Sequence, residues 1–205
     1  GDHSETEEDY FKIYQDRRDH KVWDDARRLE ALLHYVRPPD GGPVEHLDIG
    51  CGLGSMLEAG AVRHGLNSKG IDLSEWSIDF CRQEGLEARC AGLTDTGFDD
   101  ESFDLVTAMN VVEHIPRTHE GLAEIHRVLR PGGVAGFIVP NAGYLKAHLL
   151  RHRYRNYHGK RARFHLTYHT RATIIRVMER AGLQPLSYPW LIEPRLASPL
   201  GALGE

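Results

Sequence analysis

The sequence lacks three features that would place it in particular classes of protein. Its three cysteines, Cys51, Cys81 and Cys90, are scattered and odd in number, which argues against a disulfide framework and for reduced thiols. No apolar run approaches the roughly 18 residues of a membrane helix, and no secretory signal is recognised. The net charge of −5 argues against a surface that binds nucleic acid generally. We therefore expect a cytoplasmic protein without a membrane segment.

What remains is the composition of an ordinary globular domain, with 40% apolar and 27% charged residues. The 205 residues are enough to bury a sizeable core, and we expect a single domain over residues 1–205. The acidic stretch at residues 1–9 predicts a disordered tail. Beyond it, short apolar runs alternate with amphipathic segments. This alternation predicts a Rossmann-like, doubly wound α/β fold, with a mainly parallel sheet and helices on both faces.

The apolar periodicity and the turn residues give approximate bounds for each element. Helices are predicted over residues 10–36, 55–64, 74–82, 118–129 and 170–181. Strands are predicted over residues 44–49, 68–73, 87–91, 103–109, 134–139 and 183–188. Ser74 and Thr170 are predicted to cap the helices that follow them.

A glycine-rich turn at the end of the first predicted strand organises these elements. Gly50, Gly52 and Gly54 occupy every second position there. Glycine allows a positive φ and a close approach of ligand, and the helix that follows offers unpaired N–H groups. Asp72 ends the second predicted strand, where an acid accepts hydrogen bonds from ribose hydroxyls. The alternatives are a turn without a ligand and an acid that interacts with the helix dipole.

The same residues resemble a known family. The run Asp48 to Gly54 is similar to motif I of the class I S-adenosylmethionine-dependent methyltransferases, and Gly70 to Ser74 resembles their acidic-loop motif. Three later stretches match family signatures in the expected order, at residues 103–106, 112–115 and 129–133. Within the family, residues 109–114 with Val139-Pro140-Asn141 most resemble the group that contains the ubiquinone-pathway O-methyltransferases.

The resemblance implies S-adenosylmethionine as the cofactor and a role for each matching residue. The methionine part of the cofactor would be held by Asp48 and by the backbone of Gly50, Cys51 and Gly52. The sulfonium side would be lined by Met109 and Asn110 at the end of the fourth strand.

The resemblance also implies contacts to the adenosine part. Asp72 would accept hydrogen bonds from both ribose hydroxyls, with Leu73 against the adenine. Gly92 and Leu93, after the third strand, would meet the adenine edge. Tyr14 or Tyr10 on the first helix would close the pocket from above, although ordinary core packing accounts for these tyrosines equally well.

One departure from the ubiquinone-type pattern concerns metal binding. Position 110 is Asn, where those enzymes usually have a Glu that is associated, together with a Glu-His pair, with a divalent metal. Only Glu113 and His114 remain here, and hard cations require several oxygen ligands. We therefore predict no metal site.

The predicted reaction is in-line transfer of a methyl group from the sulfonium to an oxygen or nitrogen of a small-molecule acceptor. A hydroxyl acceptor needs a general base, for which histidine is suited near neutral pH. We predict His114 for this role, with His165 and His169 as alternatives. An amine or an ionised phenol needs no base.

Residues 141–169 carry seven Lys or Arg and no acid, and they predict a lid or insertion on the acceptor side. The alternatives for this span are a solvated basic face, an oligomer contact or an RNA contact. An RNA- or protein-directed methyltransferase and a non-catalytic cofactor-binding domain stay open. The G-x-G-x-G spacing argues against a dinucleotide dehydrogenase. For the oligomeric state we expect a monomer or a homodimer.

Overall fold

The structure is a computed structural model that describes residues 18–38, 41–142 and 165–186. The helices are α1 (Arg18–Leu33), α2 (Ser55–Glu58), α3 (Glu75–Gln83), α4 (Thr118–Val128) and α5 (Arg171–Arg180). The strands are β1 (Glu45–Ile49), β2 (Asn67–Asp72), β3 (Glu87–Cys90), β4 (Phe103–Met109) and β5 (Leu129–Ile138). A π-helix, Ala59–Arg63, continues α2, and a 3-10 turn, Val112–His114, follows β4.

The strands form a five-stranded sheet in the order β3-β2-β1-β4-β5. Every pairing between neighbours is parallel. The Rossmann-like α/β prediction is therefore confirmed. The chain reverses its direction of sheet growth between β1 and β4, and ligands of such folds bind at the carboxyl ends of the strands beside that point.

Apolar side chains cover both faces of the sheet. On one face Leu47 and Ile49 of β1 pack in a cluster with α4 and α5, where Leu122 and Ile125 are fully buried. On the other face Leu105 packs with α1 and α2 in a cluster that contains Val22, Leu29 and Met56. Burying each such side chain contributes about 1.5–3 kcal/mol. The core thus fixes both helix layers against β1, the strand that enters the glycine turn.

Helix capping agrees with the prediction at both positions. The Ser74 hydroxyl accepts the Ser77 N–H at 3.1 Å and begins α3. Thr170 and Thr173 form a reciprocal capping box that begins α5. These caps satisfy N–H groups that have no partner within the helix.

Two strand predictions were wrong in part. β5 begins at Leu129 rather than at residue 134, because Phe103 pairs with Leu129 and Leu105 pairs with Val134. The intervening Pro131-Gly132-Gly133 therefore bulges out of the ladder, with Gly132 at φ 80°. Residues 183–186 are irregular, because no described strand pairs with them. Residues 187 and 188, the tail at 1–9 and the first part of the predicted 10–36 helix lie outside the described residues.

No helix in the described parts of the chain has both the length and the apolar character needed to cross a membrane.

Candidate active site

The glycine turn between β1 and α2 has the geometry that its sequence predicts. Gly50, Gly52 and Gly54 have φ values of 69°, 51° and 72°. A Cβ on Gly50 would lie 2.4 Å from Cγ2 of Val111, and a Cβ on Gly54 would lie 2.4 Å from Cδ1 of Leu86. Both the backbone conformation and the close packing therefore require glycine at these two positions.

Asp72 joins the glycine turn to the loop after β2. Its Oδ2 accepts the Gly52 N–H and its Oδ1 accepts the Ser74 N–H, both at 2.9 Å. Each carboxylate oxygen has a second lone pair for a further hydrogen bond. The neighbouring Leu73 is 78% exposed and offers an apolar surface beside this carboxylate.

Residues 92 and 93 follow β3 at the same end of the sheet. A Cβ on Gly92 would meet Leu73 at 3.4 Å, so Gly92 lies beside the exposed leucine. Leu93 is buried in the core, with its side chain against Gly121. Asp72, Leu73 and Gly92 therefore make up one continuous edge with an acidic and an apolar part.

Asp48 lies beneath the glycine turn. It is 4% exposed, and its Oδ1 accepts a hydrogen bond of 2.7 Å from the Thr107 hydroxyl. Burial raises the pKa of Asp48 to about 7, and the Thr107 hydrogen bond opposes that rise. The carboxyl is thus balanced between its two protonation states near neutral pH.

The start of α2 is held by residues of α1 that the sequence did not single out. The Ser55 hydroxyl donates to Oδ2 of the buried Asp25 at 2.7 Å. Lys21 Nζ lies 2.7 Å from the same hydroxyl and 3.6 Å from Asp25. Arg18 donates to the Leu53 carbonyl at 3.4 Å. α1 therefore supports the glycine turn and the start of α2 with several polar contacts.

A second group of polar residues, the Glu113–His114–His165 cluster, lies beyond the carboxyl end of β4. The Glu113 carbonyl accepts the N–H groups of Leu166 at 2.8 Å and Thr167 at 3.0 Å, which brings the 165–170 segment to the 3-10 turn. Nε2 of His165 then lies 4.0 Å from Oε1 of Glu113. The rings of His114 and His165 are 5.0 Å apart between centroids.

The electrostatics of this cluster differ from those of the glycine turn. Glu113 is 1% exposed, and neither its Oε2 nor Nδ1 of His165 has a hydrogen-bond partner among the described residues. Burial raises the pKa of Glu113. Burial, reinforced by His114, lowers the pKa of His165. Both shifts favour neutral forms, as expected for buried groups without a compensating charge.

The remaining predicted residues fall in three places. Met109 ends β4 and is half-buried, and the exposed Asn110 follows it at φ 58° with its N–H donated to Ile138. His169 is separate from the cluster, with Nε2 3.4 Å from the Thr118 hydroxyl and its carbonyl accepting the Ala142 N–H. Tyr10, Tyr14 and residues 143–164 of the predicted lid lie outside the described residues.

Comparison with known proteins agrees with this geometry. Residues 47–137 match the family described as methyltransferase domain. A ubiquinone biosynthesis O-methyltransferase of Methylococcus capsulatus is 33% identical over 147 residues, which are 64% of this chain and 61% of that protein. Residues 47–137 therefore form a class I S-adenosylmethionine-dependent methyltransferase domain.

One further curated relative and one solved structure of similar fold extend this comparison. A 24-methylenesterol C-methyltransferase 2 of Arabidopsis thaliana is 33% identical over 120 residues, 54% of this chain and 33% of that protein. A structure of an S-adenosylmethionine-dependent methyltransferase from Archaeoglobus fulgidus superposes with a TM-score of 0.64 at 22% identity, covering 85% of this chain and 74% of that one. The chain spans about three fifths or less of the curated relatives named here.

The residues of the methyltransferase domain fit its cofactor, S-adenosylmethionine. The Asp72 carboxylate retains acceptor capacity for two ribose hydroxyls, and the exposed Leu73 offers an apolar surface next to it. Asp48 supplies a carboxyl at the other side of the turn. The order of an acid, a second acid with acceptor capacity and an apolar surface beside it matches a ligand with an ammonium group, a ribose and an adenine.

The Glu113–His114–His165 cluster has the donor set of a transition-metal site. One ligand atom from each residue lies within 4.8 Å of the others. His165 provides a third donor that the sequence did not associate with Glu113 and His114. Two imidazoles and one carboxylate suit zinc or iron better than magnesium. The absence of a metal site stays a prediction.

Proposed function

We propose that this protein transfers a methyl group from S-adenosylmethionine to an oxygen or nitrogen atom of a small-molecule acceptor. The observation that supports a catalytic role is the Glu113–His114–His165 cluster at the carboxyl end of β4. Oε2 of Glu113 and Nδ1 of His165 are buried without a hydrogen-bond partner among the described residues. One ligand atom of the exposed His114 lies within 4.8 Å of one from each of the other two residues. Groups of this kind, at the ligand-binding edge of an α/β sheet, are typical of active sites.

The residues of the glycine turn hold and orient the cofactor in this proposal. Asp72 binds the ribose, Leu73 packs on the adenine, and Asp48 faces the ammonium group of the methionine part. The bound cofactor supplies an electrophilic methyl group on its sulfonium. Because the chemistry needs only a correctly placed nucleophile, alignment provides most of the catalysis, and such alignment is worth about 7–11 kcal/mol in favourable systems.

The histidines accept the proton of a hydroxyl acceptor. His114 is exposed at the mouth of the site, and His165 stands beside it with a lowered pKa. A neutral imidazole at pH 7 has a free lone pair, so either ring can act as the base. His169 lies against Thr118 and is the weaker candidate of the three. For an amine or an ionised phenol the cluster only positions the acceptor.

The relatives support a small molecule as the acceptor. The names of the Methylococcus and Arabidopsis relatives specify a quinone-pathway oxygen and a sterol carbon. We favour oxygen or nitrogen because a histidine base suits a hydroxyl acceptor. The net charge of −5 favours a small molecule over RNA.

The test is transfer of labelled methyl from S-adenosylmethionine to phenolic, amine and carbon acceptors. We expect the double variant His114→Ala/His165→Ala, which removes both candidate bases, to lower kcat for hydroxyl acceptors by about 10²-fold or more. Transfer to amines and the affinity for S-adenosylhomocysteine should stay unchanged. His20→Ala, at an exposed position on α1, is the control.

Three outcomes would contradict parts of this proposal. Binding of S-adenosylhomocysteine without transfer to any acceptor would indicate a non-catalytic domain. Transfer only to RNA or protein would exclude the small-molecule acceptor. Loss of activity in excess EDTA, restored by zinc, would give the cluster a metal-binding role in place of the base.

A further inference from the structure

A row of four polar side chains crosses the sheet beneath the glycine turn. Ser68 lies on β2, His46 and Asp48 on β1, and Thr107 on β4. The strand register places His46 opposite Ser68 and Asp48 opposite Thr107. Nδ1 of His46 is 2.9 Å from the Ser68 hydroxyl, and Nε2 is 2.9 Å from the Thr107 hydroxyl. The row therefore ends on the Asp48 carboxylate.

The direction of the hydrogen bonds follows from the single proton of the Thr107 hydroxyl. That proton is donated to Oδ1 of Asp48 at 2.7 Å. The contact with His46 then requires the ring to donate its Nε2–H to Thr107. Nδ1 must in turn accept the Ser68 proton. His46 is neutral in this arrangement, in agreement with burial that lowers its pKa to about 3.

Packing alone does not explain why these polar side chains are buried, but a hydrogen bond to the Asp48 carboxylate does. It lies on the face that Leu105 and Met56 otherwise make apolar, and His46 and Thr107 are both fully buried. Burying polar groups is tolerated only when they are hydrogen-bonded. Apolar side chains of similar size would fill the same space without that requirement. What they would not provide is a hydroxyl that donates to Asp48.

We propose that Thr107 and His46 are positioning residues for cofactor binding, which hold the Asp48 carboxylate ionised and oriented towards the ammonium group of the cofactor. This inference rests on the proposed role of Asp48 at the methionine part. His46 fixes the Thr107 oxygen by donating to it. The Thr107 hydroxyl therefore donates its single hydrogen bond to Asp48.

Other charged groups around Asp48 determine how its ionisation depends on pH. Burial has the largest effect and raises its pKa, and Thr107 opposes it. From α1, Asp25 raises the pKa and Lys21 lowers it, and Asp72 at the end of β2 raises it slightly. Since the carboxylate is the form that attracts an ammonium group, cofactor affinity should rise with pH through about 7 and then level off. Without the Thr107 hydroxyl, that rise should move to higher pH.

The test is calorimetric titration with S-adenosylhomocysteine, which keeps the ammonium group, from pH 6 to about 8.5. We expect Thr107→Val to weaken binding about tenfold at pH 7 and to shift the midpoint of the pH profile upward by about one unit. Thr107→Ser keeps the hydroxyl and should restore the native profile. Asp48→Asn should weaken binding and remove the pH dependence.

The outcomes separate this inference from the role of Asp48 itself. An unchanged affinity in Asp48→Asn would overturn both. A flat profile in Asp48→Asn, with Thr107→Val keeping the native midpoint, would overturn the positioning role alone.

A second measurement needs no variant. Nitrogen NMR of the wild-type imidazole should show the Nε2–H tautomer of His46 at pH 8. The Nδ1–H tautomer would contradict the inference, because Thr107 would then have to donate to His46 instead of Asp48.

Discussion

The glycine turn, proposed as the cofactor side, and the Glu113–His114–His165 cluster, proposed as the acceptor side, differ in how their polar groups are hydrogen-bonded. Around the glycine turn, both oxygens of Asp72 accept backbone N–H groups and Asp48 accepts the Thr107 hydroxyl. In the Glu113–His114–His165 cluster, by contrast, Oε2 of Glu113 and Nδ1 of His165 have no partner among the described residues. Within the described ranges, the Asp72 and Asp48 carboxylates are hydrogen-bonded, whereas these two atoms of the cluster are not.

The difference follows from what each side must recognise. The cofactor is the same in every turnover, so its site can be preorganised by hydrogen bonds that hold the loops in position. Groups that bind an acceptor or take its proton must keep free acceptor and donor capacity. A buried polar atom without a partner costs about 1–3 kcal/mol. We infer that the acceptor side carries this cost for the sake of its chemistry.

The largest effect should come from breaking the preorganised side at Asp72. Replacing Asp72 with Ala removes the acceptors of two N–H groups and those proposed for the ribose. We expect the affinity for S-adenosylhomocysteine to fall by about 100-fold, the effect of two charge-assisted hydrogen bonds. Calorimetric titration measures this loss of affinity. Asp79→Ala, an exposed acid on α3, is the matched control, and an equal loss in both variants would refute the ribose role.

The tight packing of the same turn gives a somewhat smaller effect on stability. Gly50→Ala places a methyl group 2.4 Å from Val111 at a positive φ. We expect it to lower the free energy of unfolding by about 2–4 kcal/mol in urea denaturation. Gly65 has a similar φ of 64°, but a Cβ there would have nothing within 4 Å. Gly65→Ala should therefore lower the free energy of unfolding by only about 1–2 kcal/mol.

A double variant separates the effect of the clash with Val111 from the effect of the positive φ. In a Val111→Ala background, which removes the close Cγ2 atom, Gly50→Ala should cost about as much as Gly65→Ala. If Gly50→Ala and Gly65→Ala lowered the free energy of unfolding equally, Val111 would have to move aside freely. The turn would then be less rigid than the structure indicates.

Sequence reasoning predicted the backbone geometry of the glycine turn well because its signals are local. The spacing of Gly50, Gly52 and Gly54 and the acid at Asp72 occur within short segments whose geometry is set by neighbouring residues. The parallel sheet followed from the alternation of elements. Boundaries were less accurate, as at β5, because the bulge at Pro131-Gly132-Gly133 depends on how β4 pairs with it.

The parts that sequence reasoning missed depend on contacts between distant segments. His165 lies near Glu113 because Leu166 and Thr167 donate backbone hydrogen bonds to the Glu113 carbonyl. His46 meets Thr107 through the register of β1 and β4. No periodicity or motif encodes either contact. A polar residue at a buried position of a central strand, such as His46 beside Asp48, is the one signal that could have indicated the row across the sheet.

The smallest expected effect tests whether the acceptor side carries a cost in stability. Burial raises the pKa of Glu113, so the folded chain keeps its proton to higher pH than the unfolded chain. Stability therefore falls as pH rises from about 4.3 through the raised value. Glu113→Gln does not titrate, and we expect it to raise Tm by about 2–4 °C at pH 8 while leaving Tm unchanged below pH of about 4. Scanning calorimetry at both pH values, with the exposed Glu30→Gln as control, measures the difference. A lower Tm at pH 8 would mean that ionised Glu113 stabilises the fold, and the contrast between the two sides would then be lost.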